Sequence, residues 1–455
     1  MKIIVYKSLI YGIIQVKWKK LEIGGEGHMI NIPKHKLEKF GYSIRCNRKR
    51  KLNLTKAAKW TQSRFCEGIC SQTSLISMEK GNAGRFIENY PKLAERLDLQ
   101  VAYSEKIDKR IPTYAKHIYT AIEFYEFDKM RKYFDKLYEL LDSVKNCLWY
   151  CDLYEAAKAV DNYYLKRQFL NFDNRNYIAD MIGEFSEEWD EMLKAVIYIS
   201  AYQDVDTLEY LERFEELEID KCKSAFNKIN TLLFYYDQGR TITLLDLAEI
   251  YVEEWKKDKN DLRLLDVYGI KLPFVSIHDA YEVDEAYKTM VEIMRTHEIA
   301  RYKKAECYFG LGTAYLNLQE YEKALEIYKV AYEYDDQNNK PLFVYVAHAQ
   351  RMLKQKVEMP YYSDEEMARF STIYQTLYEY YKIVEQNEAL GEKFILSKIA
   401  PMVDANIDKT ILNVIGEELG LLAGDANHYK IMAKFNKKLK KTNKMITSIL
   451  DLTKV

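Results

Sequence analysis

Along most of the chain apolar residues return every third or fourth position, the period of an amphipathic helix. Only 7 prolines and 17 glycines interrupt 455 residues, which predicts long helices and argues against β-architecture. Between 36 and 99 the apolar sets are short. They are Leu37, Phe40 and Ile44; Leu54, Ala57 and Ala58; Phe65 and Cys66; Leu75 and Ile76; Ile87, Leu93 and Leu97. With Gly68 and Gly81 as punctuation, they predict five short helices in a small head at 29–99. The stretch 100–112, with a charge run and Pro112, reads as a linker. From 113 to 425 the pattern is helix after helix in pairs. Residues 426–455 form a basic amphipathic helix with Ile431, Phe435 and Leu439 on one face, expected as a terminal cap; a second nucleic-acid contact or a dimer helix is the alternative.

One stretch carries a repeat signature. In 305–336, Tyr308, Leu311, Gly312, Tyr315, Ala324, Tyr328 and Ala331 fall at positions 4, 7, 8, 11, 20, 24 and 27 of a 34-residue unit, the tetratricopeptide (TPR) pattern. Small residues at 8, 20 and 27 let two helices approach, and large ones at 4, 11 and 24 fill the gaps. A degenerate echo lies upstream at Phe127, Met130, Phe134 and Leu137. Weaker helix pairs can be drawn at 187–219, 221–256 and 338–385. One such unit exposes its apolar face until neighbours cover it. The reading is therefore an all-α chain: a five-helix head followed by a right-handed α-solenoid of TPR-like helix pairs.

Charge adds a polarity to this layout. Residues 29–99 carry 15 Lys and Arg against 6 Asp and Glu, a net +9, and 1–28 a net +3, which leaves −13 for 100–455 within a formal total of −1. A basic head on an acidic body suggests a polyanion for the head. The 7 cysteines are irregularly spaced, with no His at zinc-ligand distance, so they read as buried thiols in a reducing compartment. No run reaches the roughly 20 apolar residues that a spanning helix needs, so no membrane partner is expected and the chain reads as cytoplasmic. Residues 1–28 stand apart from the helical pattern of the head. Met29 is expected as the natural start and 1–28 as translated leader, with a short element packed on the head as the alternative.

The segment TQSRFCEGICSQTSLISMEKG, 61–81, carries the chemistry of the head. Phe65 and Cys66 face inward, Gly68 permits a tight turn, and Ile69 plugs the gap. Ser71 suits an N-cap. Gln72, Thr73, Ser74 and Ser77 are then presented outward, while Leu75, Ile76 and Met78 help anchor the helix. Short polar groups at the start of a helix are what reading base edges in a major groove requires.

On Thr61-Gln62, Glu67, Ile69-Cys70, Gln72 and the Glu79-x-Gly81 ending, this segment resembles the lambda-repressor-like helix-turn-helix of the RRNPP-type, PlcR-like peptide-responsive transcription regulators. The resemblance covers about 60 residues closely, together with the head-and-solenoid layout. It implies that Gln62 grips a backbone phosphate and that Ser71, Gln72, Thr73 and Ser77 face bases. Arg45, Arg48 and Lys49, with Arg50 and Lys51, would supply phosphate contacts. One departure is clear: from Gly41 to Thr61 there are about six more residues than the family usually has, so the first helix or its connection must be longer.

The resemblance also implies a short signalling peptide on the concave face of the solenoid. Groove positions of the clear repeat are Phe309, Thr313, Leu316 and Asn317. One unit on they are Phe343, Ala347, Gln350 and Arg351. Side-chain amides there can both donate to and accept from an extended backbone. No catalytic motif is present: HEIAR at 297–301 lacks the second His of a zinc protease, and no phosphate-binding glycine loop or nucleophile elbow occurs. The expectation is a non-enzymatic, homodimeric regulator of double-stranded DNA, without metal or cofactor, whose body senses a peptide. The alternative is a repressor with a protein-interaction scaffold and no peptide ligand.

Overall fold

The computed structural model describes residues 33–82, 87–204, 208–276, 279–335, 341–402 and 409–422. The expected leader at 1–28 and the cap at 426–455 lie outside the described residues. Within them every element is helical, apart from an isolated parallel bridge between Gln100 and Cys147. The chain divides into two compact units: 1–122 with 126–213, and 123–125 with 214–455.

The first unit opens with α1 (Lys34–Thr55), a 3-10 turn (Ala58–Trp60), α2 (Gln62–Phe65), α3 (Gln72–Glu79) and α4 (Asn89–Arg96). It continues through α5 (Glu105–Asp108), α6 (Ile111–Glu123), α7 (Phe127–Leu141), α8 (Tyr150–Lys166), α9 (Phe172–Ala179) and α10 (Glu187–Tyr202), and the division falls within α11 (Glu209–Glu216), after Arg213. The echo residues Met130, Phe134 and Leu137 form the buried stripe of α7 together with Leu141. Helix starts are set by local chemistry: the side chains of Ser71, Ser104 and Asn171 accept from the backbone N–H three residues on, capping α3, α5 and α9.

Two expectations change here. The first two short helices of the head are one helix of 22 residues, because nothing between Lys34 and Thr55 breaks the backbone pattern; it ends where Lys56 turns left-handed at φ 53°. Leu54, expected in a core, is therefore an exposed residue of α1, and Ala57 and Ala58 belong to the connection. The segment expected as a linker, 100–112, is packed. Gln100 N–H donates to the Asn146 carbonyl and the Gln100 carbonyl accepts from Leu148, both at 2.9 Å. Ser104 N–H donates to the Tyr150 hydroxyl, and Ile107 is buried.

The second unit holds α12 (Ala225–Asp237), α13 (Thr241–Asp258), α14 (Asp261–Val275), α15 (Ala280–Thr296), α16 (Arg301–Asn317), α17 (Tyr321–Tyr334), α18 (Leu342–Met352), α19 (Asp364–Met367), α20 (Thr372–Gln386), α21 (Glu388–Phe394) and α22 (Lys409–Leu422). A single apolar core runs from Ala225 to Leu419. α16 and α17 are the helices of the TPR signature, and they touch where it requires. A Cβ on Gly312 would stand 2.6 Å from the Tyr328 ring, so only glycine lets α16 lie this close to α17.

Candidate functional site

In the head, α3 is pinned by Leu75 and Met78 and crosses α1 at Gly41, where a Cβ would meet the Met78 carbonyl oxygen at 1.9 Å. Between α2 and α3 the chain turns at Gly68, φ 76°. Phe65 and Cys66 are buried beneath it, as their spacing requires. Ser71 caps α3 by accepting from Ser74 N–H at 3.1 Å. Ser71, Gln72 and Thr73 are exposed and Ser77 is half-buried, so the start of α3 offers hydroxyls and an amide to solvent.

The basic residues of α1 are placed otherwise than expected. Arg48 is buried: its Nε and Nη2 donate to Glu79 at 2.6 and 2.9 Å, and its Nη1 to the Trp60 carbonyl at 3.0 Å. It cannot touch a phosphate, because its fork is filled by a carboxylate at the end of α3. Gln62 belongs to the same network, donating from Nε2 to Glu79 at 2.8 Å. Arg45 donates to the Asp180 carbonyl at 3.4 Å, and Lys49 pairs with the Asp180 carboxylate at 2.7 Å. Both reach Asp180, just past the end of α9.

They are part of a continuous polar seam along one face of α1. Lys36 pairs with Asp108 at 2.9 Å and sits 3.4 Å from the Trp149 ring centre. Lys39 donates to the Glu184 carbonyl at 2.7 Å. The Ser43 hydroxyl accepts from Trp149 N–H, and Asn47 and Tyr177 both donate to Asp152 at 2.8 Å. Burial pushes the Asp152 carboxyl up to about 6 and Glu184 up to about 7, and draws Lys36 down to about 8. These groups hold elements of the first unit together.

In the second unit the expected groove positions divide. Phe309 and Asn317 are half-buried, and Asn317 donates to the Ser276 hydroxyl at 3.2 Å. Thr313 is buried and shares a 3.2 Å hydrogen bond with the Tyr328 hydroxyl. Leu316 and Ala347 are core residues. Phe343 is a core residue too, enclosed by the rings of Tyr362, Phe370 and Tyr378 at 5.3–5.4 Å. The helical face that a regular repeat would leave open after α18 is covered by the chain from Tyr362 to α20. Gln350 accepts from Glu358 N–H at 3.2 Å, and Arg351 donates to Glu418 at 2.9 Å.

Arg351 leads to a cluster that spacing did not reveal. α22 packs on α16 and α18, and brings Glu417 and Glu418 against them. Glu418, fully buried, accepts from His348 Nδ1 at 2.7 Å, Arg351 at 2.9 Å, Tyr380 at 2.7 Å and Tyr381 at 3.3 Å. His348 Nε2 meets Glu417 at 2.7 Å. Burial alone would lower the His348 pKa, but hydrogen bonds and charge from the two glutamates outweigh it and raise it to about 9. A second buried set joins Lys303 to Asp266 at 2.5 Å and Arg263 to Asp266 at 3.2 Å. Partners about 70 positions apart leave no trace in local sequence. Among the described residues no group of His, Cys, Asp or Glu could hold a metal ion, and no helix is long and apolar enough to cross a membrane.

No family model and no curated protein matches the chain. Among solved structures, a Rap protein complexed with competence and sporulation factor matches it with a TM-score of 0.53 and 12% identity, covering 75% of this chain and 99% of that one. The likeness is one of fold: the chain is an all-helical protein built like that Rap protein over three quarters of its length.

Proposed function

We propose that this chain is a cytoplasmic, homodimeric transcription regulator whose head binds double-stranded DNA through α2 and α3 and whose helical body takes a short signalling peptide. The observation that carries the reading is the fold shared with a protein solved in complex with competence and sporulation factor. The exposed Ser71, Gln72 and Thr73 at the start of α3 support the DNA half. Peptide binding would shift the body between two populated conformations, and so change how two heads meet half-sites about one helical turn apart. Phe309 and Asn317, half-buried beside a filled core, remain the groove residues best placed to meet a peptide.

A second reading has its own observation. The basic face of α1 is bound to the chain between Asp108 and Glu184, as in a head that serves the body as structure, with the body acting as a protein-interaction scaffold without a peptide. The test is direct. Full-length protein from its native cells, denatured and analysed by mass spectrometry, should release a peptide of roughly five to ten residues. Its synthetic copy should raise the melting temperature of the empty protein. Repeated recovery of no peptide, with no thermal shift from fractionated culture extract, rejects the sensor and leaves the scaffold. For the DNA half, Gln72→Ala should lower affinity for a selected operator by ~1–3 kcal/mol and spare random duplex; equal loss on both rejects a reading role.

A further inference from the structure

α2 is four residues long, and like any helix it leaves its last carbonyls without intrahelical donors. The turn that follows serves one of them: the Cys66 carbonyl accepts from Ile69 and Cys70 N–H at 2.9 and 3.1 Å. The Phe65 and Glu67 carbonyls on either side receive no backbone donor among the described residues. Each is met instead by Arg96, the last residue of α4, from Nη1 to Phe65 and from Nη2 to Glu67, both at 2.5 Å. The guanidinium lies over the bend, since a Cβ on Gly68 would stand 4.0 Å from Nη2. The Glu67 carboxylate turns to Arg64 at 3.2 Å. Arg96 thus grips the path of the main chain and not a side chain on it.

That grip closes a ring of contacts around α3. Its far end is held where Glu79 accepts from Arg48 and Gln62, and where α1 crosses it at Met78. α1 in turn carries α4: the Phe40 and Tyr90 rings meet at 6.5 Å, and Leu93, Ala94 and Leu97 are buried. α4 returns through Arg96 to the turn that runs into Ser71, the N-cap of α3. The links at Met78 and Glu79 fix the C-terminal end of α3, and Arg96 fixes the chain just ahead of Ser71, Gln72 and Thr73. Unlike the buried Arg48, Arg96 is exposed, so its removal strands no buried charge.

We infer that Arg96 is a positioning residue for base reading: by fixing the turn between Phe65 and Cys70 it sets the angle at which Ser71, Gln72 and Thr73 meet a major groove, without touching DNA itself. A base-edge hydrogen bond weakens steeply with misalignment, so a loosened turn costs discrimination first. Attraction to the phosphates carries no sequence information and is spared. The role rests on the reading that α2 and α3 bind DNA.

The experiment is a fluorescence-anisotropy titration of full-length wild type, Arg96→Ala and Arg96→Lys on an operator selected by wild type and on a random duplex. It is run at several salt concentrations, below the melting temperature of each protein. Arg96→Ala should lose about tenfold in affinity for the operator and less than about twofold for random duplex, with the slope of log affinity against log salt unchanged. Arg96→Lys keeps the charge but lacks the fork that spans both carbonyls, and should lie between. If Arg96→Ala does not fold, the operator-to-random ratio of Arg96→Lys decides alone. A ratio equal to wild type overturns the positioning role, even where the melting temperature falls. Equal loss on both duplexes, with the slope flattened by about 0.9 in Arg96→Ala, makes Arg96 a phosphate contact and overturns it too. Wild type that binds no duplex at low salt removes the DNA reading, and the positioning role with it.

Discussion

The guanidinium of Arg48 has three hydrogen bonds and no exposure worth the name. Its neighbours Arg45 and Lys49 lie one helical step away and reach a different partner, Asp180. The resemblance read all three as phosphate contacts, but a sequence pattern does not say what a helical face meets. Arg48→Ala strands the buried Glu79 without its cation, which costs about 3–5 kcal/mol. The melting temperature should fall sharply, and Arg48→Met with Glu79→Leu should restore most of it. A melt equal to wild type, with uniformly weaker DNA binding, would show a surface contact instead. His348 makes the parallel case in the body. Its pKa, 6.5 when unperturbed, is raised to about 9 in the fold. The stabilisation is therefore complete below pH 6.5 and is lost as pH rises through about 9, on the order of 3 kcal/mol in all. Between those pH values wild type should lose melting temperature relative to His348→Gln, whose own curve should lack this component; parallel curves would exclude a charged His348.

At the scale of the element, the pairing of α16 with α17 was legible because TPR chemistry is local: a glycine and two alanines must sit where bulky side chains cannot. Gly312 is the clearest of them, and Gly312→Leu should cost about 1–3 kcal/mol by forcing the Tyr328 ring aside. A calorimetric melt unchanged by this substitution would mean that the two helices do not touch there. α1 was less legible. Its apolar residues thin out after Ile44, which reads as a helix ending; the structure continues it to Thr55 because backbone hydrogen bonds persist without an apolar face. The repeat arithmetic also failed one unit after its best match. Phe343 stands 34 residues beyond Phe309, but the chain from Tyr362 to α20 covers it. Repeat position predicts which way a side chain points only while the next unit is regular.

Across the whole chain, the largest difference concerns where a compact body ends. A charge run with a proline at 100–112 suggested a linker between head and solenoid, whereas α1 to α10 form one unit through the seam of Lys36, Lys39, Ser43, Asn47 and Lys49. Fragment 29–213 should accordingly melt in one cooperative transition, well above fragment 29–99, which lacks every partner of that seam. Equal melting temperatures by circular dichroism would show a head that folds independently. Sequence by itself determined that the chain is helical, where its helices pair around 305–336, and that polar residues open α3. All three come from spacings of three, four or 34 residues along one chain. Only the tertiary structure decided which cations face water, which groove positions are filled, and that His348 and Arg351 meet Glu417 and Glu418. Those contacts join residues dozens of positions apart, and their energy depends on burial and distance, neither of which is written in local order.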